Sequence, residues 1–381
     1  FNTYANGGTI NIGGATINTG QSSLAFFASN NGKINFTAST TANISGGSTP
    51  STRGTAFYYQ GGSGGGSYAS FTSSDITTWA SSTLGTNRNM LTLNMADDSR
   101  LFIASGVQMN LSDTSGSGLA GALGVNSISG SNYKTFMLYN SLLTVNQSVN
   151  LDNANDAYNQ LEISNSSIDN NNANTITGTQ AGQTAIAQEN LRSTRTDVTL
   201  NNDGTINLLG ANSTGMYAKF GVLNNNPTGT ITIGDTSTGL YGVADSILRN
   251  TGTITMGSNS TGMYSEGSTT QGVTNDGTIT STGIKSVGVL FKPDATLALG
   301  ITFGNTGTIT LGDESVGLYG DNTAKNYTTS NSGDITVGRK GIAMFGYASD
   351  VTAGTITVGE GGVGVYSQSG NVNLTGGTIA T

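Results

Sequence analysis

The chain has 381 residues, of which 57 are glycine and three are proline; charged residues make up only 9%, the formal net charge is −8, and there is neither cysteine nor histidine. Without those two residue types a Ser-His-Asp triad, a Cys-His dyad, a His-ligated metal and a disulfide framework are all excluded. The acidic balance disfavours nucleic acid and anionic membranes as partners, and no apolar run approaches transmembrane length, so this segment is not expected to insert into a membrane.

In chain order, residues 1–47 read as coils of β-structure. Gly8-Thr9-Ile10-Asn11-Ile12 and Gly32-Lys33-Ile34-Asn35-Phe36 repeat 24 residues apart and alternate polar with apolar positions, which is strand periodicity. Regularity then breaks over 48–89, which carries Pro50, a Gly-Ser tract at Gly61–Ser67 and several aromatics. This stretch is expected to be a loop insertion. Arg53, Tyr58, Tyr59, Tyr68, Trp79 and Arg88 within it are the residue types enriched at binding hot spots, and they are the candidate ligand-binding set. The competing reading is that Phe57, Phe71 and Trp79 only pin the insertion down.

Residues 90–197 return to short apolar runs such as Leu91-Thr92-Leu93 and Leu101-Phe102-Ile103, read as irregular coils. Thr184 to Leu191 has helix-like composition, and a short helical insertion is expected there. Asp97, Asp98 and Arg100 are the candidates if the chain were a polysaccharide lyase or hydrolase. Adjacent strand residues point to opposite faces, however, and Asp97 with Asp98 would make a poor acid–base pair. Asp113 to Ser117 is read as a turn, since it lacks the order of a serine-protease motif. No phosphate loop, EF-hand loop or glycine-rich calcium repeat occurs, so neither cofactor nor metal is expected.

From 198 to 381 the repeat is regular. A Gly-Thr-Ile-Thr phrase begins at Gly204, Gly229, Gly252, Gly277, Gly307, Gly333, Gly354 and Gly377, in steps of 25, 23, 25, 30, 26, 21 and 23 residues. A Gly-apolar-Tyr phrase follows, as at Gly215-Met216-Tyr217, Gly239-Leu240-Tyr241 and Gly317-Leu318-Tyr319. Each unit holds three short strands and three turns, too little to bury its apolar face alone. Stacking solves this, and the expected fold is all-β: a right-handed parallel β-helix with loop insertions, running as one solenoid through all four segments. Ile231, Ile233, Ile254, Met256, Ile279 and Ile309 should form an inner column. Asn202, Asn250, Asn275, Asn305 and Asn331 should form an amide ladder. Outward Thr-x-Thr rows suit a strand surface, and an ice-binding array is a third functional class. Tyr217, Tyr241, Tyr264, Tyr319 and Tyr366 would either stack along the fold axis or offer a platform for sugars.

The paired phrases Asn202-Asp203-Gly204-Thr205-Ile206 and Ser213-Thr214-Gly215-Met216-Tyr217 resemble the passenger repeats of large fusobacterial type V autotransporter adhesins, well over 200–381 and more weakly over 1–40. The resemblance implies a bacterial cell-surface, outer-membrane-anchored segment whose translocator barrel is not in this sequence. With no histidine or cysteine and no well-placed carboxylate pair, no enzymatic activity is expected. The partners the resemblance implies are a host cell-surface protein receptor, an immune receptor among them, a galactose-type glycan, or other bacteria. A carbohydrate-active β-helix enzyme and a plain spacer stalk are the alternatives. The chain opens on Phe1 and the repeat is still running at Thr378-Ile379, as expected for a piece of something longer.

Overall fold

The computed structural model describes residues 2–29, 32–48, 52–60, 67–71, 82–84, 90–96, 99–105, 107–111, 127–129, 134–139, 142–145, 148–152, 161–164, 167–189, 198–270, 272–298, 301–321 and 327–381. Among these there is no α-helix, and the strands pair in parallel, each with its counterpart one coil away. The fold is a parallel β-solenoid. The chain divides into two compact units, Phe1–Thr177 with Ala187–Leu191, and Gly178–Ile186 with Arg192–Thr381.

In the second unit each coil contributes one strand to each of three sheets. One coil runs through Val222–Asn225, Thr230–Ile233 and Thr238–Val243, and the next through Ile247–Asn250, Thr253–Met256 and Thr261–Glu266. The middle strands hold a strict register in which Ile206, Ile231, Ile254, Ile279 and Ile309 stack in turn. All five are 0% exposed, and Ile233, Met256 and Leu311 beside them are at most 3% exposed. Burying each such side chain contributes about 1.5–3 kcal/mol. The expected Thr rows lie on the other face in register, with Thr255 and Thr280 hydroxyls 3.3 Å apart.

The amide ladder is continuous. Asn202 donates to Asn225 at 2.8 Å, Asn225 to Asn250, Asn250 to Asn275 and Asn275 to Asn305 at 2.7 Å each, and Asn305 to Asn331 at 3.0 Å. All six side chains are buried. Asn225 is a rung that the sequence spacing missed, because Asn226-Pro227-Thr228 separates it from its glycine. A second buried ladder was also missed. Ser213, Ser237, Ser260, Ser286 and Ser315 line the turn into the third strand, where the N–H of Ser213 donates to Ser237 Oγ at 2.9 Å and that of Ser237 to Ser260 Oγ at 3.1 Å.

The Gly-apolar-Tyr phrase marks a break in strand alternation. Thr238 pairs with Thr261 and Leu240 with Met263, which leaves Gly239 and Gly262 outside the register, and both the glycine and the following residue face inwards. A Cβ at Gly239 would stand 2.5 Å from the Gly262 carbonyl oxygen and 3.0 Å from Ile254 Cγ2. Only a very small residue fits this bulge-like corner, and Ala343 fills it at one rung.

The first unit uses the same device with different residues. Leu24 pairs with Thr55 and Phe26 with Phe57, skipping Ala25 and Ala56, all within a parallel sheet that continues to Arg100–Ser105 and Lys134–Tyr139. Ala25-Phe26-Phe27 and Ala56-Phe57-Tyr58 are thus copies of Gly-apolar-Tyr with alanine for glycine. Two expectations change accordingly. Within 48–89, Thr55–Gln60, Ser67–Phe71 and Ser82–Leu84 are strands in register with neighbouring coils, so these stretches are rungs and not a protruding loop. Residues 49–51, 61–66, 72–81 and 85–89 lie outside the described residues.

The helix expected near Thr184–Leu191 is a strand, Thr184–Glu189. Ala185 and Ile186 are 3% and 0% exposed, and the N–H of Thr214 donates to Gln183 O at 2.8 Å, so Thr184-Ala185-Ile186 occupies the place of Thr214-Gly215-Met216. Burial in the coil overrides the helix propensity of alanine.

Candidate functional site

The six residues singled out from the sequence do not share one element. Tyr58 is half-buried and closes a column of parallel rings, Tyr4–Phe27 at 4.4 Å and Phe27–Tyr58 at 4.7 Å between centroids. Its role in the fold is stacking across coils. Arg53 sits half-buried in the turn before the same strand. Tyr59 follows Tyr58 in that strand, while Tyr68 belongs to Ser67–Phe71 in a different sheet, and only their backbones are described. Trp79 and Arg88 lie outside the described residues, as do Asp97, Asp98 and Asp113 to Ser117. Among the described residues no group of three or more Asp and Glu side chains is placed to hold a metal ion.

The second unit presents a more complete surface on the outer face of its third sheet. Tyr217, Tyr241, Tyr264, Leu290, Tyr319, Phe345 and Tyr366 follow one another in register. Strand alternation past the bulge turns all seven outward. Tyr241 and Tyr264 stack at 4.9 Å and 6°, Tyr319 and Phe345 at 4.9 Å and 5°, Phe345 and Tyr366 at 5.1 Å and 2°. Of the two readings of the tyrosine row, the geometry is that of structural stacking. Sugars stack on ring faces, and here each face inside a stack is covered by the next ring. What reaches solvent is a strip of ring edges and phenol hydroxyls.

One row further along the strands come Lys219, Val243, Glu266 and Lys292. Glu266 is held from two sides, by the Tyr241 hydroxyl at 2.9 Å and the Lys292 ammonium at 2.9 Å. The Lys292 hydrogen bond lowers the Glu266 pKa despite partial burial. Desolvation, then the bond to Glu266, raises that of Tyr241 well above the ordinary phenol value. Desolvation and the Glu266 charge likewise raise Tyr264. At neutral pH the cluster is therefore a fixed ion pair between neutral phenols.

Just beyond, the corner between third and first strands lengthens on consecutive coils, between Glu266 and Val273 and between Lys292 and Ile301. The 30-residue step from Gly277 to Gly307 was the sequence signal for this. The corner is anchored rather than loose. Asp245 Oδ1 accepts the N–H groups of Thr269 and Thr270 at 2.7 and 2.9 Å, and Oδ2 the Thr269 hydroxyl at 2.8 Å. The second loop is laced to the first, Asp294 N to Ser268 O at 2.9 Å and Ala298 N to Thr269 O at 2.8 Å, with Leu297 buried beneath. Desolvation works against the Asp245 charge, but the Thr269 and Thr270 donors outweigh it and lower its pKa.

Both carboxylates, Asp245 and Glu266, thus titrate lower in the fold than in the unfolded chain. The stability they contribute is complete above the ordinary carboxylate range near pH 4 and is lost as pH falls through their folded values. Asp245→Ala at neutral pH should release the Thr269 and Thr270 amides to fast hydrogen exchange while the Ile column amides stay protected. Unchanged protection at 269 and 270 would show that the carboxylate does not anchor the corner.

No protein-family model, curated protein or solved structure matches this chain.

Proposed function

We propose that this chain is a non-enzymatic surface-display segment, the passenger part of an outer-membrane-anchored bacterial adhesin, which holds a receptor on a host cell or a partner bacterium. A parallel β-solenoid fits a passenger-like architecture. The observation that carries the reading is the contrast inside the second unit: regular coils laced by a continuous buried asparagine ladder, interrupted at one corner by anchored loops beside an outward tyrosine strip. Loops on a rigid scaffold are where binding residues concentrate, and Tyr is enriched at contact sites. Arg53, Tyr58, Tyr59, Tyr68, Trp79 and Arg88 remain proposed contributors from the first unit.

The test is saturable binding of the labelled 381-residue chain to cultured epithelial cells, read by flow cytometry on intact, glycosidase-treated and trypsin-treated cells. Saturable binding to intact cells is expected. Its absence from every cell type tried would leave a spacer stalk and end the adhesion reading. A carbohydrate-active enzyme would instead release new reducing ends or unsaturated products from uronate polysaccharides, which a display segment does not do.

A further inference from the structure

Resting on that adhesion reading, we infer that the third-sheet corner of the second unit docks a protein surface rimmed by lysine and arginine, with the edges of Tyr241 and Tyr264 and the tilted ring of Tyr217 at the centre of contact. Three observations lead there. The stacked rings of Tyr241 and Tyr264 offer edges instead of the faces between them, which suits a flat protein contact better than a sugar, and Tyr217 lies tilted at 62° beside them. The strip is preorganised, because the rings brace one another across coils and Glu266 is fixed by Tyr241 and Lys292, so little side-chain entropy is lost on contact. The electrostatics are net negative: among the described residues of this corner, Asp245, Glu266, Asp294 and Asp321 outnumber Lys219 and Lys292, within a chain of net charge −8. Carboxylates already bonded internally still project their field, which steers a cationic partner and repels an anionic one.

The experiment places one new cation on each of two outward faces. Val243 is half-buried on the tyrosine face between the Lys219 and Glu266 rungs, and Thr255 is exposed on the outer face of the middle sheet. Val243→Arg and Thr255→Arg change the net charge equally and leave the inner column untouched. Cell binding is compared for wild type and both variants, with circular dichroism and melting as controls on folding. Tyr217→Ala, at the tilted end of the stack (62° to Tyr241), serves as a second probe that adds no charge.

The expected result has four parts. Wild-type binding survives glycosidase and is lost on trypsin treatment. It weakens as salt rises, since steering is screened beyond a Debye length of about 8 Å at physiological ionic strength. Val243→Arg and Tyr217→Ala weaken it by about tenfold or more, as hot-spot losses do. Thr255→Arg binds as wild type. Loss of binding after glycosidase overturns the inference in favour of a glycan. Equal weakening by both arginine variants reduces it to net charge, and full binding by Val243→Arg and Tyr217→Ala moves the site elsewhere while adhesion stands. Failure of wild type to bind any cell ends the adhesion reading itself, and this inference with it.

Discussion

Replacing Ile254 by Asp should destroy the coils around it, whereas Thr255→Asp, one residue along, should leave melting almost unchanged. Ile254 is 0% exposed and lies in register between Ile231 and Ile279, with its Cγ2 also 3.0 Å from where a Cβ on Gly239 would stand. Losing the aliphatic side chain from such a site costs about 2–5 kcal/mol. An aspartate there has no partner for its charge, so it would be protonated at neutral pH and would still bury an unsatisfied polar group, adding about 1–3 kcal/mol. The sum is comparable with the whole stability of a typical domain, about 5–15 kcal/mol. In a stacked fold the damage is also local, because each coil contacts only its neighbours. Limited proteolysis of Ile254→Asp should therefore open the chain near the substituted coil, with reduced far-ultraviolet circular dichroism. Thr255 is exposed, and a surface substitution of this kind stays within about 0.5 kcal/mol. If the two variants melt alike, the inward assignment of the column is wrong.

The same period-two logic explains what could be read from the sequence and what could not. The inner column was legible because Thr-Ile-Thr-Ile alternates without interruption, and the register places every one of those apolar residues inside. The first unit was harder because its phrase differs in composition. Ala56-Phe57-Tyr58 makes the same kind of register skip as Gly239-Leu240-Tyr241, yet without glycine the repeat is invisible in the sequence and the stretch reads as an insertion. The strand at Thr184–Glu189 was hidden for the same reason, with Ala185 at the glycine position. Turn chemistry was the third blind spot. Thr236, Lys285, Glu314 and Lys340 adopt left-handed conformations with φ of 52–57°, which a sequence reading reserves for Gly and Asn. Their N–H groups are tied to the next coil, Thr236 to Ser258 O at 2.9 Å and Lys285 to Asp313 O at 3.0 Å, so stacking offsets the local cost. The loop corner left a trace only as one long step in the repeat, and the Tyr241–Glu266–Lys292 cluster left none, since its members come from three coils.

Asn275→Leu should cost more than the same change at the end of the ladder, and the difference separates a hydrogen-bonded column from a merely well-packed one. Asn275 Oδ1 accepts from Asn250 and its Nδ2 donates to Asn305, both at 2.7 Å in a buried setting. Leucine has a similar volume and fills the space. It nevertheless leaves the Asn250 amide short of its best acceptor and the Asn305 carbonyl without the Asn275 donor, at about 1–3 kcal/mol for each buried group. Asn331 is the last rung: its own Nδ2 bonds Gly333 O at 2.8 Å, and the next coil carries Val351 in its place. Asn331→Leu takes the donor from Gly333 O and the acceptor from Asn305, but Asn305 Nδ2 keeps Gly307 O at 3.0 Å and no ladder oxygen is orphaned, so its cost should be smaller. The double variant Asn275→Leu/Asn305→Leu makes the sharper test. Once Asn275 is gone, Asn305 Oδ1 is already orphaned, and replacing Asn305 removes that penalty while creating one at Asn331. The second substitution should then cost less than it does alone, a coupling that denaturant melts resolve when it exceeds about 0.5 kcal/mol. Strict additivity, or equal costs at Asn275 and Asn331, would mean that the amide column contributes through packing and that its hydrogen bonds add nothing net over water.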